Sequence, residues 1–415
     1  MAVPTGFLGF TTLLEFTTRR TAAALVLGVG GLFASVIPTG ARQGAQQPHS
    51  SQPARALDTC GRADPSHLRV ANESGGQPLF LKPSEAGRVG QFLREMSGNN
   101  HETLMWATGP IGRGREFTVP VDGTVDRVTF SLSVDGEGGA LDVRRPSGVA
   151  IRKGDPDTEM TELSCTRIVT VLNPDIGDWR VGVSGPGRFW LQVGAKTEIF
   201  LVSTQFVKVG GRPGHEGLFR IDGQPLAGTP ATLRLTLSGP VDNAEFSLVA
   251  LDGDVIGSVA LREESPSSDT REYAGTFALP PRPFRVAVRG ANANGQRYQR
   301  LFHTLFHAET VEIRPADGAP DEVARGATSP IAFTIRNVGA PASFHIIAVD
   351  GRQFISRTDP ADITLGTGVS ARITVDLTVP ADVAEWTGFD LTVTATSTSG
   401  PNTSNGAVRH ITVRH

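Results

Sequence analysis

From about residue 115 to the end of the chain, apolar side chains return at every second position in short runs, and this rhythm constrains the fold more than any other feature. Val128, Phe130, Leu132 and Val134 alternate with Thr129, Ser131 and Ser133, and the same beat returns at Trp179, Val181, Val183 and at Phe189, Leu191, Val193. Successive strand side chains point to opposite faces, so each run reads as a strand with one dry and one wet face in an antiparallel sheet. A second block carries Leu233, Leu235, Leu237, then Phe246 and Leu248, Phe277 and Leu279, Val286 and Val288. A third carries Ile331, Phe333, Ile335, then Ile373, Val375, Leu377, Val379, then Leu391 and Val393. The 48 glycines and 28 prolines among 415 residues punctuate these runs and argue against long helices as the dominant element. Short strands at this spacing predict sandwiches, with joints near 196–200 and 309–328.

Composition bounds the classes left open. With 39% hydrophobic, 7% aromatic and 20% charged residues, the chain can build packed cores, which excludes wholesale disorder. A formal net charge of −3, with no local basic cluster, removes the electrostatic footprint of a nucleic-acid binder. The length fits two to four domains. Before the sandwiches, Val89, Phe92, Leu93 and Met96 stand at helical spacing, so residues 84–96 read as an amphipathic helix capped by Ser84. Leu79-Phe80-Leu81, after the turn pair Gly75-Gly76, reads as a short strand.

The N-terminus has the order of an export signal: Arg19 and Arg20 precede an apolar run from Ala22 to Ile37, followed by Pro38, Gly40 and small or polar residues. The run is shorter than the roughly 20 residues a bilayer-spanning helix needs. Cleavage between Ala34 and Ala45 is expected, and a membrane is a partner only if the segment stays uncleaved. Residues 41–56 are rich in Gln, Pro, Ser and Ala and read as a tether. An exported chain whose only cysteines are Cys60 and Cys165 permits one disulfide or two separate thiols. Asn72-Glu73-Ser74 and Asn402-Thr403-Ser404 are glycosylation sequons should the source be eukaryotic.

Catalytic signatures are missing from the sequence. There is no Gly-x-Ser-x-Gly elbow and no phosphate loop, and neither His101-Glu102 nor His215-Glu216 extends to His-Glu-x-x-His. The reading is therefore a non-enzyme with no cofactor. His303 and His307 have chelating spacing on a helix, but in a period-two stretch they lie about 13 Å apart and read as solvent-face histidines. Asp155, Asp157 and Glu159 form an acidic loop whose carboxylates suit calcium; Met160 and Thr166 stand where an EF-hand needs Gly and Glu, so a solvated turn is expected and no metal is assigned. Trp179 shares the parity of Val181 and Val183 and reads as core. Trp190 has the opposite parity to Phe189, Leu191 and Val193, on the nominally wet face. There it either stacks on a sugar, anchors a partner or packs against a neighbouring domain. Trp386, in the loop-like ADVAEWTG, raises the same question.

Several ordered motifs resemble one family. Cys60-Gly61, Ser74-Gly75-Gly76-Gln77, Phe80 and the helix after it resemble the end of a von Willebrand factor A domain. Phe117, Val119-Pro120, Asp122, Pro146-x-Gly148 and Gly177-Asp178-Trp179-Arg180-Val181-x-Val183-x-Gly185 resemble a galactose-binding-like domain. Phe277-x-Leu279-Pro280, Pro283-Phe284-x-Val286-x-Val288-x-Gly290 and Gly295-x-x-Tyr298-x-Arg300 resemble a first immunoglobulin-like module, and Phe333-x-Ile335-x-Asn337-x-Gly339 with Leu377-x-Val379-Pro380 a second. In this order they are similar to the region following the A domain in the family of hemicentin and von Willebrand factor A domain-containing protein 7. The A domain's Asp-x-Ser-x-Ser metal loop is missing, so metal-dependent adhesion does not carry over. The resemblance implies an all-β chain: signal and linker at 1–56, an A-domain remnant at 57–99, a jelly-roll galactose-binding-like sandwich at 100–196, and immunoglobulin-like sandwiches at 197–309 and 310–415. It implies a secreted or cell-surface protein in adhesion or matrix interaction, with an extracellular protein or glycan as partner. A carbohydrate-binding accessory protein is the competing reading.

Overall fold

The computed structural model describes residues 10–12, 24–29, 60, 64–88, 100–210, 214, 216–266, 270–400 and 402–415. Phe10–Thr12 (β1) pairs antiparallel with Ala24–Val29 (β2), which lies inside the run read as an export signal; the rest of that run and the 41–56 tether lie outside the described residues. Pro65–Ser74 forms α1, and Gln77–Phe80 (β3) pairs with β2. No helix among the described residues is long and apolar enough to cross a membrane.

Helix α1 stands ahead of the 84–96 stretch, whose apolar positions lie outside the described residues. Asp64 caps α1 by accepting from the Ser66 N–H at 2.8 Å, Pro65 occupies the first turn, and Gly75 closes it with φ +71°. Among the α1 side chains only Ala71 is fully buried, so the segment lacks the apolar periodicity that marks a helix in sequence. Within the 84–96 stretch, Pro83–Arg88 makes a 3-10 turn, and residues 89–99 lie outside the described ones.

The first sandwich comprises β4 (His101–Pro110), β5 (Arg115–Val121), β6 (Arg127–Val134), β7 (Ala140–Arg144), β8 (Thr158–Glu162), β9 (Thr166–Leu172), β10 (Gly177–Ser184) and β11 (Arg188–Lys196). Its sheets run β5-β10-β7 and β4-β11-β6-β9-β8, antiparallel throughout. Trp179, Val181 and Val183 of β10 face Phe130 and Leu132 of β6, with the Trp179 and Phe130 rings 5.6 Å apart. Burial of each Val, Leu or Phe in such a core contributes roughly 1.5–3 kcal/mol.

The second sandwich comprises β12 (Phe200–Gly210), β13 (Gly217–Arg220), β14 (Ala231–Ser238), β15 (Glu245–Val249), β16 (Val255–Val259), β17 (Arg262–Pro266), β18 (Thr270–Phe277), β19 (Arg285–Ala291) and β20 (Arg297–Leu301). Its sheets run β13-β12-β14-β18-β17 and β16-β15-β19-β20. The third comprises β21 (Val311–Pro315), β22 (Glu322–Ala324), β23 (Thr328–Asn337), β24 (Ala342–Asp350), β25 (Ile355–Asp359), β26 (Asp362–Leu365), β27 (Ser370–Thr378), β28 (Gly388–Ser397) and β29 (Ser404–Arg414). Its sheets run β21-β23-β27-β25 and β22-β29-β28-β24-β26, with β22 parallel to β29. The Gly- and Pro-rich stretch at 309–328 is thus part of the last sandwich, because Val311 and Ile313 are buried in its core and β21 pairs with β23.

Candidate functional site

The parity of Trp190 is as the alternation predicts, but its face is closed. Trp190 is 2% exposed, beneath Phe80 at a ring separation of 5.2 Å, and its indole N–H donates to Asn72 Oδ1 at 3.1 Å. Along the same face the Trp106 indole donates to Gly76 O at 3.2 Å, and Gln77 Nε2 donates to Trp190 O at 3.1 Å and Ser133 Oγ at 3.3 Å. Glu85 accepts from the Ser164 N–H at 2.8 Å, and Cys60 and Cys165 form a disulfide. Residues 64–85, tied down as well through Cys60, therefore lie as a strap across the outer face of the five-stranded sheet. Contact of Trp190 with an external ligand is corrected on this ground: the chain's own segment occupies the platform. The Asn72 side chain of the first sequon is engaged with Trp190 as well.

The strap and the first two sandwiches share one buried junction. Arg285 of β19 lies 4.0 Å over the Trp106 ring, donates through Nε to His303 O at 2.9 Å and through Nη2 to Asn72 O. Burial lowers its pKa to about 9. Deeper in, Arg300 of β20 pairs with Asp122 of the first sandwich at 2.9 Å with both side chains 0% exposed. Arg300 also donates to Ile199 O, Gln299 O and Thr197 Oγ1, so every guanidinium nitrogen has a partner. Gln299 Nε2 reaches Leu104 O at 2.7 Å. Arg300 shares the parity of the core residue Tyr298, and a charge at a core position is the sequence signal that marks such a junction. Arg285 and Trp106 stand on faces that alternation calls wet, and nothing local announces their burial.

His303 is a correction. The strand ends at Leu301, and His303 lies in an irregular segment against Gly75 and Arg285, where a Cβ on Gly75 would meet His303 O at 2.7 Å. Burial, reinforced by Arg285, holds the His303 pKa near 4, so the ring stays neutral through the mildly acidic range where a free imidazole takes up a proton. His101 is lowered to about 4 by burial and Arg127. Glu102, accepting from the Leu201 N–H, is raised to about 7 by burial against the opposing pull of Arg300.

Asp155, Asp157 and Glu159 do not converge. Asp155 accepts from the Arg152 N–H at 2.9 Å, Asp157 holds φ +56°, and Glu159 is on β8. Among the described residues no group of three His, Cys, Asp or Glu side chains is placed to hold a metal ion. Trp386, by contrast, is open at 66% exposure. Its backbone N–H donates to Val413 O at 2.8 Å, and the Arg414 guanidinium lies 3.2 Å from its ring centroid. Arg414 is bound in turn to Glu322 at 2.5 Å.

Residues 102–198 match the family model of the hemicentin galactose-binding domain-like module, and residues 313–415 that of the VWA7 Ig-like domain. The chain carries the modules of the hemicentin and VWA7 family, in that family's order. The chain is all-β, with the first sandwich matching the galactose-binding-like module and the last the Ig-like one. No curated protein matches it significantly. Among solved structures, the propeptide form of lipase BlEst2 from Bacillus licheniformis is 11% identical over 48% of this chain and 40% of that one, with a TM-score of 0.24. The full ectodomain of mouse nectin-like molecule 4 is 13% identical over 73% and 95%, with a TM-score of 0.17. Native Escherichia coli alpha-2-macroglobulin is 11% identical over 75% and 23%, with a TM-score of 0.25. The chain thus spans less than half of the lipase and of the macroglobulin, and at these scores the likeness carries no argument.

Proposed function

We propose that this hemicentin-type chain is an exported, non-enzymatic adhesion or extracellular-matrix interaction protein that works through its sandwich surfaces. The observation that carries the reading is the buried junction of the first two sandwiches, sealed by Asp122–Arg300 and by the strap. An enzyme concentrates polar groups around an open cavity. Here the most elaborate polar network is closed, fully paired at Arg300, and holds modules to one another. A second junction follows the same logic: Asn405 of β29 exchanges hydrogen bonds with Gln224 of the preceding module at 2.8 and 2.9 Å, and Glu309 accepts from Thr403 at 2.6 Å. Fixed junctions suit a chain that presents its sandwich faces in a set arrangement. Residues 64–85 act in this reading as the strap that anchors the segment before them. The test is binding of the purified chain to wells coated with cell-envelope or matrix preparations. Saturable binding competed by soluble chain is expected; binding no greater than that of albumin refutes the proposal.

A further inference from the structure

The strap contributes no strand to either sheet of the first sandwich: β3 pairs with β2, and the five-stranded sheet is complete without it. It is held instead by its main-chain carbonyls. Gly75 O accepts from Gln192 Nε2 at 3.4 Å, Gly76 O from the Trp106 indole at 3.2 Å and Phe80 O from Thr166 Oγ1 at 3.1 Å. Asn72 O and Glu73 O, in the last turn of α1 where no helical donor follows, accept from Arg285 Nη2 and from the Leu305 N–H. The first two sandwiches thus hold the strap as they would hold a separate peptide. Undocking breaks no ladder of the sandwich. It also returns to water Gln77 Oε1, Gln192 Oε1 and Ser131 Oγ, which are buried on the covered face without hydrogen-bond partners. The Cys60–Cys165 bond ties the leading end of the strap to the turn between β8 and β9.

We propose that two copies of this chain exchange straps, residues 64–85 of each closing the sheet face of the other; the proposal rests on the adhesion reading above and names a second copy as its partner. A second copy carries the same strap and the same face, so every contact above is kept across the pair. The Trp190 face stays closed throughout, and what changes is whose strap closes it. With the contacts conserved, the balance between single chains and exchanged pairs is set by concentration, which display on a surface raises. The disulfide follows by exchange with a small thiol such as glutathione. Cys60 is half-buried and Cys165 is 2% exposed, so the thiolate attacks the Cys60 sulfur, forming a mixed disulfide there and releasing the Cys165 thiolate. Once the straps change places, the Cys165 thiolate of the other copy attacks that mixed disulfide and the small thiol leaves. Two intrachain bonds become two interchain bonds, with no net oxidation and the thiol returned.

The experiment mixes equal amounts of ordinary and heavy-nitrogen full chain at rising concentration with catalytic reduced glutathione. Samples are quenched with an alkylating agent, separated by size, and digested without reduction for mass spectrometry. A dimer fraction that grows with concentration is expected, with about half of its Cys60–Cys165 links joining heavy to light peptide and with no link between two copies of Cys60. In a second arm, Cys60→Ser chain is mixed with Cys165→Ser chain and oxidised glutathione, which takes up the two electrons released. A one-to-one cross-linked pair should form, at least tenfold above the dimer given by either variant alone. A chain that stays monomeric at every concentration, dimers whose links are all of one isotope, or variant pairs no more abundant than the self-linked ones overturn the proposal. Saturable binding to the coated wells by a chain that forms no mixed links would sink the exchange and leave the adhesion reading intact. Mixed links with well binding no greater than that of albumin would do the reverse.

Discussion

The Asp122–Arg300 pair allows the junction to be measured. Arg300→Met removes a guanidinium whose Nη2 bonds Asp122 at 2.9 Å and Thr197 at 2.6 Å, and leaves the Asp122 carboxylate buried with only the Thr124 donors. Breaking one side of such a pair typically costs about 3–5 kcal/mol, because an uncompensated charge stays out of water. Set against a total stability on the order of 5–15 kcal/mol, that is a large share. Asp122→Leu should cost a similar amount by orphaning the cation. The double variant Asp122→Leu/Arg300→Met removes both charges and should recover most of the loss, giving a coupling energy of a few kcal/mol. Denaturant unfolding of the four proteins yields the cycle, and calorimetry shows whether the first two sandwiches still melt together. Either single variant costing under about 1 kcal/mol, or losses that simply add in the double variant, would refute the claim that this pair couples the modules.

Trp179→Ala and Trp190→Ala should each cost about 3–5 kcal/mol in the full chain, since both indoles are buried; in an isolated 100–196 module, stripped of the strap, Trp190→Ala should cost clearly less, and equal large losses there would contradict the strap. Cys60→Ser opens a cross-link across a separation of 105 residues and should lower stability by up to about 4–5 kcal/mol while exposing residues 64–80 to proteolysis; an unchanged melt would count against it. Acid sensitivity has a defined sign. His101 and His303 have folded pKa values near 4 against 6.5, so the unfolded chain binds more protons and stability falls as pH drops from 6.5 toward 4. Glu102, raised from 4.5 to about 7, acts oppositely and loses stability as pH rises through that window. Two protons against one leave a net fall of about 1.4 kcal/mol per pH unit between 6.5 and 4.5, and Glu102→Gln should steepen it to roughly twice that. A slope left unchanged by Glu102→Gln in urea midpoints at stepped pH would be the contrary result.

Alternation carried the strands, the core role of Trp179 and the outward parity of Trp190, because a period of two is a local property of each strand. What covers an outward face is not local. Trp190 meets Asn72 across 118 residues, and Arg285 meets the same residue across 213. The polar surroundings of Trp190, with Ser131, Ser133 and Gln192 on neighbouring positions, look like a wet face in sequence yet are buried. Helix α1 escaped notice because its stability comes from the Asp64 cap and docking rather than an apolar stripe. His303 was misplaced because the period-two beat was extended past Leu301, where the strand stops. The parallel pairing of β22 with β29 is likewise one that no local pattern reveals.

Retention under flow tests the adhesion account most directly, since surface recognition is what fixed junctions and sandwich faces are proposed to serve. Beads carrying the full chain would be passed at rising shear over surfaces coated with cell-envelope or matrix material, with soluble chain as competitor. The account predicts specific retention that soluble chain abolishes and that weakens when Arg300→Met loosens the junction. Retention equal to that of albumin-coated beads at every shear would contradict it.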